Sequence, residues 1–148
     1  PAHRVLVAAP DYIAQYGAPE TIATLAKHRC LAYGHMAATH RWQLAVDGVA
    51  TNVQINAALC SNNGEVLRAA ALAGNGIANL PTFLVGPDIA AGRLVSVLSG
   101  NPPTSLGIFA LYAPNRYLAA KTRLFIDFLA ARFGDPPAWD AFRSKKKR

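Results

Sequence analysis

Ala58-Leu59-Cys60-Ser61-Asn62-Asn63-Gly64-Glu65 is a short apolar run that breaks into serine, two asparagines and a glycine before an acid, which marks a strand passing into a helix. The helix runs to about Gly74 and places Val66, Leu67, Ala70, Ala71 and Gly74 on one face. With Asn62 as N-cap, Glu65 falls at the third helical position, an arrangement like the capping box. Gly76 to Leu80 then reads as another short strand. Strand, helix and strand in quick succession, with polar residues gathered at the first junction, set the fold class as α/β and suggest a ligand-binding domain.

The flanks repeat the pattern. Arg4 to Ala9 is a β-rich run ended by Pro10, with Asp11 as N-cap of a short helix that Gly17 stops after Tyr16. Pro19 and Glu20 open a second helix through about Lys27, turning Ile22, Ala23 and Leu25 inward. Cys30 to Tyr33 is a strand and Gly34 to His40 a polar loop. Arg41 to Ala45 and Val49 to Ile55 form a hairpin about Asp47-Gly48. Downstream, Pro81 starts a helical segment broken near Gly86-Pro87 and resumed from Asp88 to Ala91. Leu94 to Leu98 and Leu106 to Tyr112 are strands separated by the loop Ser99 to Ser105. A helix from about Leu118 to Phe133 carries Phe125, Phe128, Leu129 and Phe133 at helical spacing, and Gly134 with Pro136-Pro137 ends it.

Composition narrows the function classes. The 148 residues, 52% of them apolar, suffice for one core. No apolar stretch approaches the roughly 20 residues of a membrane span, and no secretory signal opens the chain. It begins at Pro1 and its one methionine is Met36, so it reads as a fragment of a longer protein. The net charge of +7 is concentrated at the end, in Arg143, Lys145, Lys146, Lys147 and Arg148. The remainder is close to neutral, so the charge reads as a solvated tail, with phosphate attraction as the alternative. Cys30 and Cys60 sit in apolar surroundings like small buried hydrophobes, which fits a reducing cytosol.

An ordered set of motifs goes further than element order. It comprises Arg4-Val5-Leu6-Val7-Ala8-Ala9-Pro10-Asp11-Tyr12-Ile13-Ala14, Leu25-Ala26-Lys27-His28-Arg29-Cys30-Leu31, the run from Asn62 to Ala70, Gly74 to Pro81, Gly92-Arg93-Leu94-Val95, Leu111-Tyr112-Ala113-Pro114, and Lys121 to Leu129. From about Arg4 to Phe133 the set resembles the C-terminal half of the effector-binding domain of LysR-type transcriptional regulators. That resemblance implies a type 2 periplasmic-binding-protein fold, in which two α/β subdomains joined by two crossover strands enclose a ligand cleft. Carried onto this chain, Arg4 to Ala9 is the outgoing crossover and Ile108 to Tyr112 the returning one. Residues 1–112 are the second regulatory subdomain with its crossovers, 113–134 a terminal helix belonging to the first subdomain, and 135–148 a tail. The family's winged helix-turn-helix, linker helix and most of the first subdomain have no counterpart here. The partners implied are a small organic effector, carboxylates included, DNA only through the missing N-terminal domain, and further copies in a homo-oligomer. A cytoplasmic location is implied, with no membrane, metal or cofactor.

The turn Ser61-Asn62-Asn63-Gly64 offers backbone N–H groups and two amides where a carboxylate could sit, and serves equally as an ordinary cap. The resemblance adds that effectors approach this turn and that the loop Tyr33-Gly34-His35 borders the cleft. Effector contact is therefore expected from Tyr33, Gly34, His35, Ser61, Asn62 and Asn63, with a plain solvent loop as the alternative for the first three. His28, His35, His40 and Cys30 lack metal-site spacing. Neither cysteine sits beside an obvious base, and Ser61 lacks the glycines of a nucleophile elbow, so no catalytic residue is expected. A sensor of a small effector is the favoured reading. Its rivals are a periplasmic-type solute-binding protein for a small organic acid, an α/β enzyme using Cys60 or Ser61, and nucleic-acid binding by the tail. Trp42 reads as a packing residue on a half-buried strand, and Trp139 as a staple for the terminus.

Overall fold

A computed structural model describes residues 2–34, 41–112, 119–134 and 137–140. Three strands form the middle of its sheet: β1 (Arg4–Ala8), β2 (Arg29–Tyr33) and β6 (Ile77–Pro81). Each is buried over consecutive residues and not at alternate ones, because both faces of the sheet are covered. The remaining strands are β3 (Arg41–Val46), β4 (Val49–Gln54), β5 (Asn56–Ser61) and β7 (Val95–Val97). The main sheet has the order β5-β2-β6-β1-β7, with β5, β2 and β6 parallel and β1 antiparallel to both of its neighbours.

Alternating side chains of these strands feed two cores. On one face, Leu6, Ala8, Cys30, Ala32 and Ile77 meet Tyr12 and Leu25 from α1 (Pro10–Tyr16) and α2 (Ile22–Leu25), together with Trp42, Leu44 and Val53 of the hairpin. On the other, Val7, Leu31, Ala78 and Leu80 meet Leu67 and Ala71 of α3 (Gly64–Leu72) and Val85 of α4 (Thr82–Ala90). The hairpin turns at Asp47 (φ 50°) and Gly48 (φ 79°), both left-handed as its tight turn requires. Trp42, opposite Val53, is buried in packing.

Several elements depart from expectation. Asp11 does not cap α1. Pro10 is already its first residue, and Asp11 lies in the first turn, where a negative charge suits the helix dipole. The helix expected from Pro19 to Lys27 is only α2, because Thr21 and Thr24 exchange backbone-to-hydroxyl hydrogen bonds at 3.2 and 3.1 Å that fix its start. It closes early as the Lys27 and His28 N–H groups bond three residues back, to Thr24 and Leu25. The break expected at Gly86-Pro87 is absent. Helix α4 runs through Pro87, and its far end is held by Asp88, whose carbonyl accepts from the Arg93 and Leu94 N–H groups. Val66, expected inward, is exposed beside the buried Leu67 and Ala71.

The largest departure is Leu106 to Tyr112, which forms no strand. Leu106 alone pairs, bridging to Ala2, while Phe109 is 80% and Leu111 95% exposed. An apolar run becomes a strand only where a neighbour completes its ladder, and none does so among the described residues. Helix α5 (Ala120–Phe133) likewise buries none of its residues. Trp139, in a short 3-10 turn (Ala138–Asp140), does act as a staple, meeting Phe83 of α4 and Phe133 of α5 edge-on at ring-centroid distances of 6.2 and 5.6 Å.

Gly76, which admits the chain to β6, has φ 153°, and a Cβ there would lie 2.4 Å from the Arg29 carbonyl oxygen. Gly76→Ala is expected to destabilise the fold by at least about 2 kcal/mol, seen as a lower urea midpoint with an unchanged slope.

Candidate functional site

Parallel strands bring their carboxyl ends to one edge of the sheet, where ligands of open α/β sheets commonly bind. Here β2 and β5 end side by side, with Tyr33 opposite Ser61 in register. The Gly34 N–H donates to the Ser61 carbonyl at 3.0 Å, which closes the pairing just beyond Tyr33. Tyr33 itself is more than half exposed.

The chain then turns into α3. The Asn63 N–H donates to the Ser61 Oγ at 3.1 Å, and Asn63 Oδ1 accepts from the Glu65 N–H at 2.9 Å. Asn63, in an extended conformation, is therefore the N-cap, and not Asn62. Glu65 falls at the second helical position and forms no capping box, reaching the Arg68 Nη1 at 3.1 Å instead. Asn62 is exposed and has no capping duty. Tyr33, Gly34, Ser61, Asn62 and Asn63 are thus gathered at one place, while His35 lies outside the described residues. Exposed amides and a helix N-terminus suit an anionic or strongly accepting group.

Behind the turn stands a cluster that local patterns did not reveal. The Asp88 carboxylate on α4 is fully buried and accepts from Arg68 Nε (2.5 Å) and Nη2 (3.1 Å), and from Arg93 Nε (2.9 Å) and Nη2 (2.7 Å). It ties α3 to α4. Arg68 and Asp88 are twenty positions apart, so no helical spacing signals the contact. A second such pair is Tyr12 and His28. The Tyr12 hydroxyl accepts from the Arg29 N–H at 3.2 Å and lies 3.1 Å from His28 Nδ1. Burial pushes the His28 imidazole below its ordinary value, which favours its neutral form.

Ser61 Oγ is engaged with the Asn63 N–H, and burial pushes the Cys30 thiol up to about 12. Among the described residues no group of three His, Cys, Asp or Glu stands ready for a metal, and no helix is long and apolar enough to cross a membrane.

Residues 1–134 match the LysR substrate binding domain family. The chain belongs to that family. This LysR domain is 32% identical over 131 residues to the HTH-type transcriptional regulator CrgA of Neisseria meningitidis serogroup C (strain 8013), covering 88% of the chain and 44% of CrgA. It is 35% identical over 138 residues to the HTH-type transcriptional activator TtdR of Escherichia coli (strain K12), covering 90% of the chain and 44% of TtdR. The solved regulatory domain of Neisseria meningitidis CrgA superposes with a TM-score of 0.70 at 29% identity, over 90% of this chain and 65% of that one. The LysR domain therefore has the expected type 2 periplasmic-binding-protein-like α/β fold, and it spans less than half the length of the curated relatives it matches. Those relatives are transcriptional regulators.

Asn63→Ala removes the cap of α3 and is expected to cost about 1 kcal/mol of stability, measurable by chemical denaturation, whereas Asn62→Ala should cost a few tenths at most.

Proposed function

We propose that this LysR domain is the effector-sensing part of a cytoplasmic transcriptional regulator, and that a small organic acid contacts it at the turn Ser61-Asn62-Asn63. The observation that carries the reading is the junction of β2 and β5. Their paired carboxyl ends set Tyr33 and Gly34 beside an exposed amide pair at the N-terminus of α3. His35, next in the chain, belongs to the same proposed surface. In this reading residues 1–112 form the second regulatory subdomain, 113–134 a helix of the first, and 135–148 a tail. The opposite wall of the cleft, the DNA reader and the contacts of a homo-oligomer belong to the rest of the regulator. The effector shifts the disposition of the two subdomains and so changes how paired readers meet DNA. The chain is not itself an enzyme, and DNA is not a partner of its own surface.

A cleft draws polar groups from both walls, so the 148-residue chain alone should hold the effector weakly or not at all. The test uses a full-length regulator carrying this domain and follows operator binding by fluorescence anisotropy during titration with small carboxylates. Asn62→Ala with Asn63→Ala should raise the half-effective concentration about tenfold, equivalent to about 1.4 kcal/mol, and leave effector-free DNA affinity unchanged. An unchanged effector response would remove the turn from the site. Micromolar effector binding by the chain alone would show that the second wall is dispensable.

A further inference from the structure

A cavity of about 410 Å³ runs along the edge strand β7, and Arg4, Leu6, Leu94, Val97 and Ser99 are among the residues that line it. Arg4 opens β1, and β2 and β6 separate that strand from β5 and its turn. Its Nη2 donates to the Asn79 carbonyl at 3.1 Å, while its Nε is sealed from solvent with no acceptor. Among the described residues no carboxylate lies within ion-pair distance of Arg4. Burial disfavours the charged form of its guanidinium, yet an arginine stays protonated in any protein environment. A partly desolvated cation is costly unless an anion meets it.

We propose that this cavity binds a small monocarboxylate with a compact apolar body, its carboxylate on Arg4 and its hydrocarbon against Leu98 and Pro102. A planar guanidinium suits a carboxylate, and among the described residues Arg4 is the one cation lining the cavity, which disfavours polyanions. The volume lies at the small end of the range for ligand pockets, roughly 300–1,000 Å³. The site stands apart from the Ser61-Asn62-Asn63 turn and does not depend on it.

The test titrates the 148-residue chain with cyclohexanecarboxylate, using cyclohexanecarboxamide and matched sodium chloride as controls, and follows backbone amides by two-dimensional NMR. Saturable shifts are expected at Arg4, Ser96 and Ser99 with a dissociation constant of about 1 mM, and the neutral amide should bind at least about tenfold more weakly. Arg4→Gln should weaken carboxylate binding about tenfold. Should that variant fail to fold, Ser99→Trp, a loop substitution that fills the cavity, is expected to abolish the shifts. Equal binding of acid and amide, absence of saturable shifts, or shifts confined to Asn62 and Asn63 would each overturn the proposal. The last result would leave the effector turn standing.

Discussion

Asp88→Asn is expected to cost about 3 kcal/mol of stability, lowering the thermal midpoint by roughly 6–12 °C, because it removes the one charge on which two arginines of different elements converge. The carboxylate is wholly buried, and its four guanidinium contacts hold α3 and α4 together. Asparagine keeps the shape but loses the charge-assisted bonds, and cannot accept from both arginines through both of its terminal atoms. The hydrogen bonds from Arg68 outweigh burial and hold the Asp88 carboxyl below the usual carboxylate range. A carboxyl depressed on folding stabilises the native state fully above the unfolded-state value of about 4, and that contribution is lost as the pH falls through the lower folded value. The gap in stability between wild type and Asp88→Asn should therefore narrow below about pH 4. Denaturation curves from pH 7 down to pH 3 measure this. A loss under about 0.5 kcal/mol at pH 7 would class the cluster with ordinary surface pairs.

The 148-residue chain is expected to self-associate through α5, and Phe125→Asp with Phe128→Asp to return it to a monomer. Phe125 and Phe128 are 60% and 62% exposed, and Leu124 stands exposed beside them. Burying each such side chain is worth roughly 1.5–3 kcal/mol, so a monomer that leaves all three in water carries a substantial penalty. The chain covers 65% of the solved regulatory domain of CrgA. In the isolated chain a second copy is the available surface. Light scattering over a concentration series checks the expectation. A wild-type chain that stays monomeric throughout would refute it, as would a double variant that associates equally well.

How much of this was legible in the sequence depended on the range over which each interaction acts. The hairpin was readable because Asp47-Gly48 determines its own geometry, and Trp42 was readable as packing because its strand alternates. The resemblance implied that Tyr33 and Gly34 border the same place as Ser61, Asn62 and Asn63, and the β2–β5 pairing sets Tyr33 opposite Ser61. The cap was misplaced by one residue because either asparagine can fill that role, and the hydrogen bond from the Asn63 N–H to Ser61 Oγ decides between them. Leu106 to Tyr112 has the composition of a strand, but composition does not supply the neighbour that a ladder needs. Asp88, Arg68 and Arg93 form a cluster only after two helices pack, so no local pattern announced them.

The position of β1 has a consequence for synthesis on the ribosome. This strand precedes the other strands of its sheet in sequence and lies between β6 and β7, with Leu6 opposite both Asn79 and Val97. Its second neighbour is translated about 90 positions later, an interval of roughly 5 to 20 seconds at ordinary elongation rates. Until β6 follows, Leu6, Val7 and Ala8 are an apolar ribbon with both edges unpaired, and one edge stays open until β7 is made. A pause in translation between Pro81 and Val95 would lengthen the period in which the open edge of that ribbon can join a neighbouring chain instead of its own sheet.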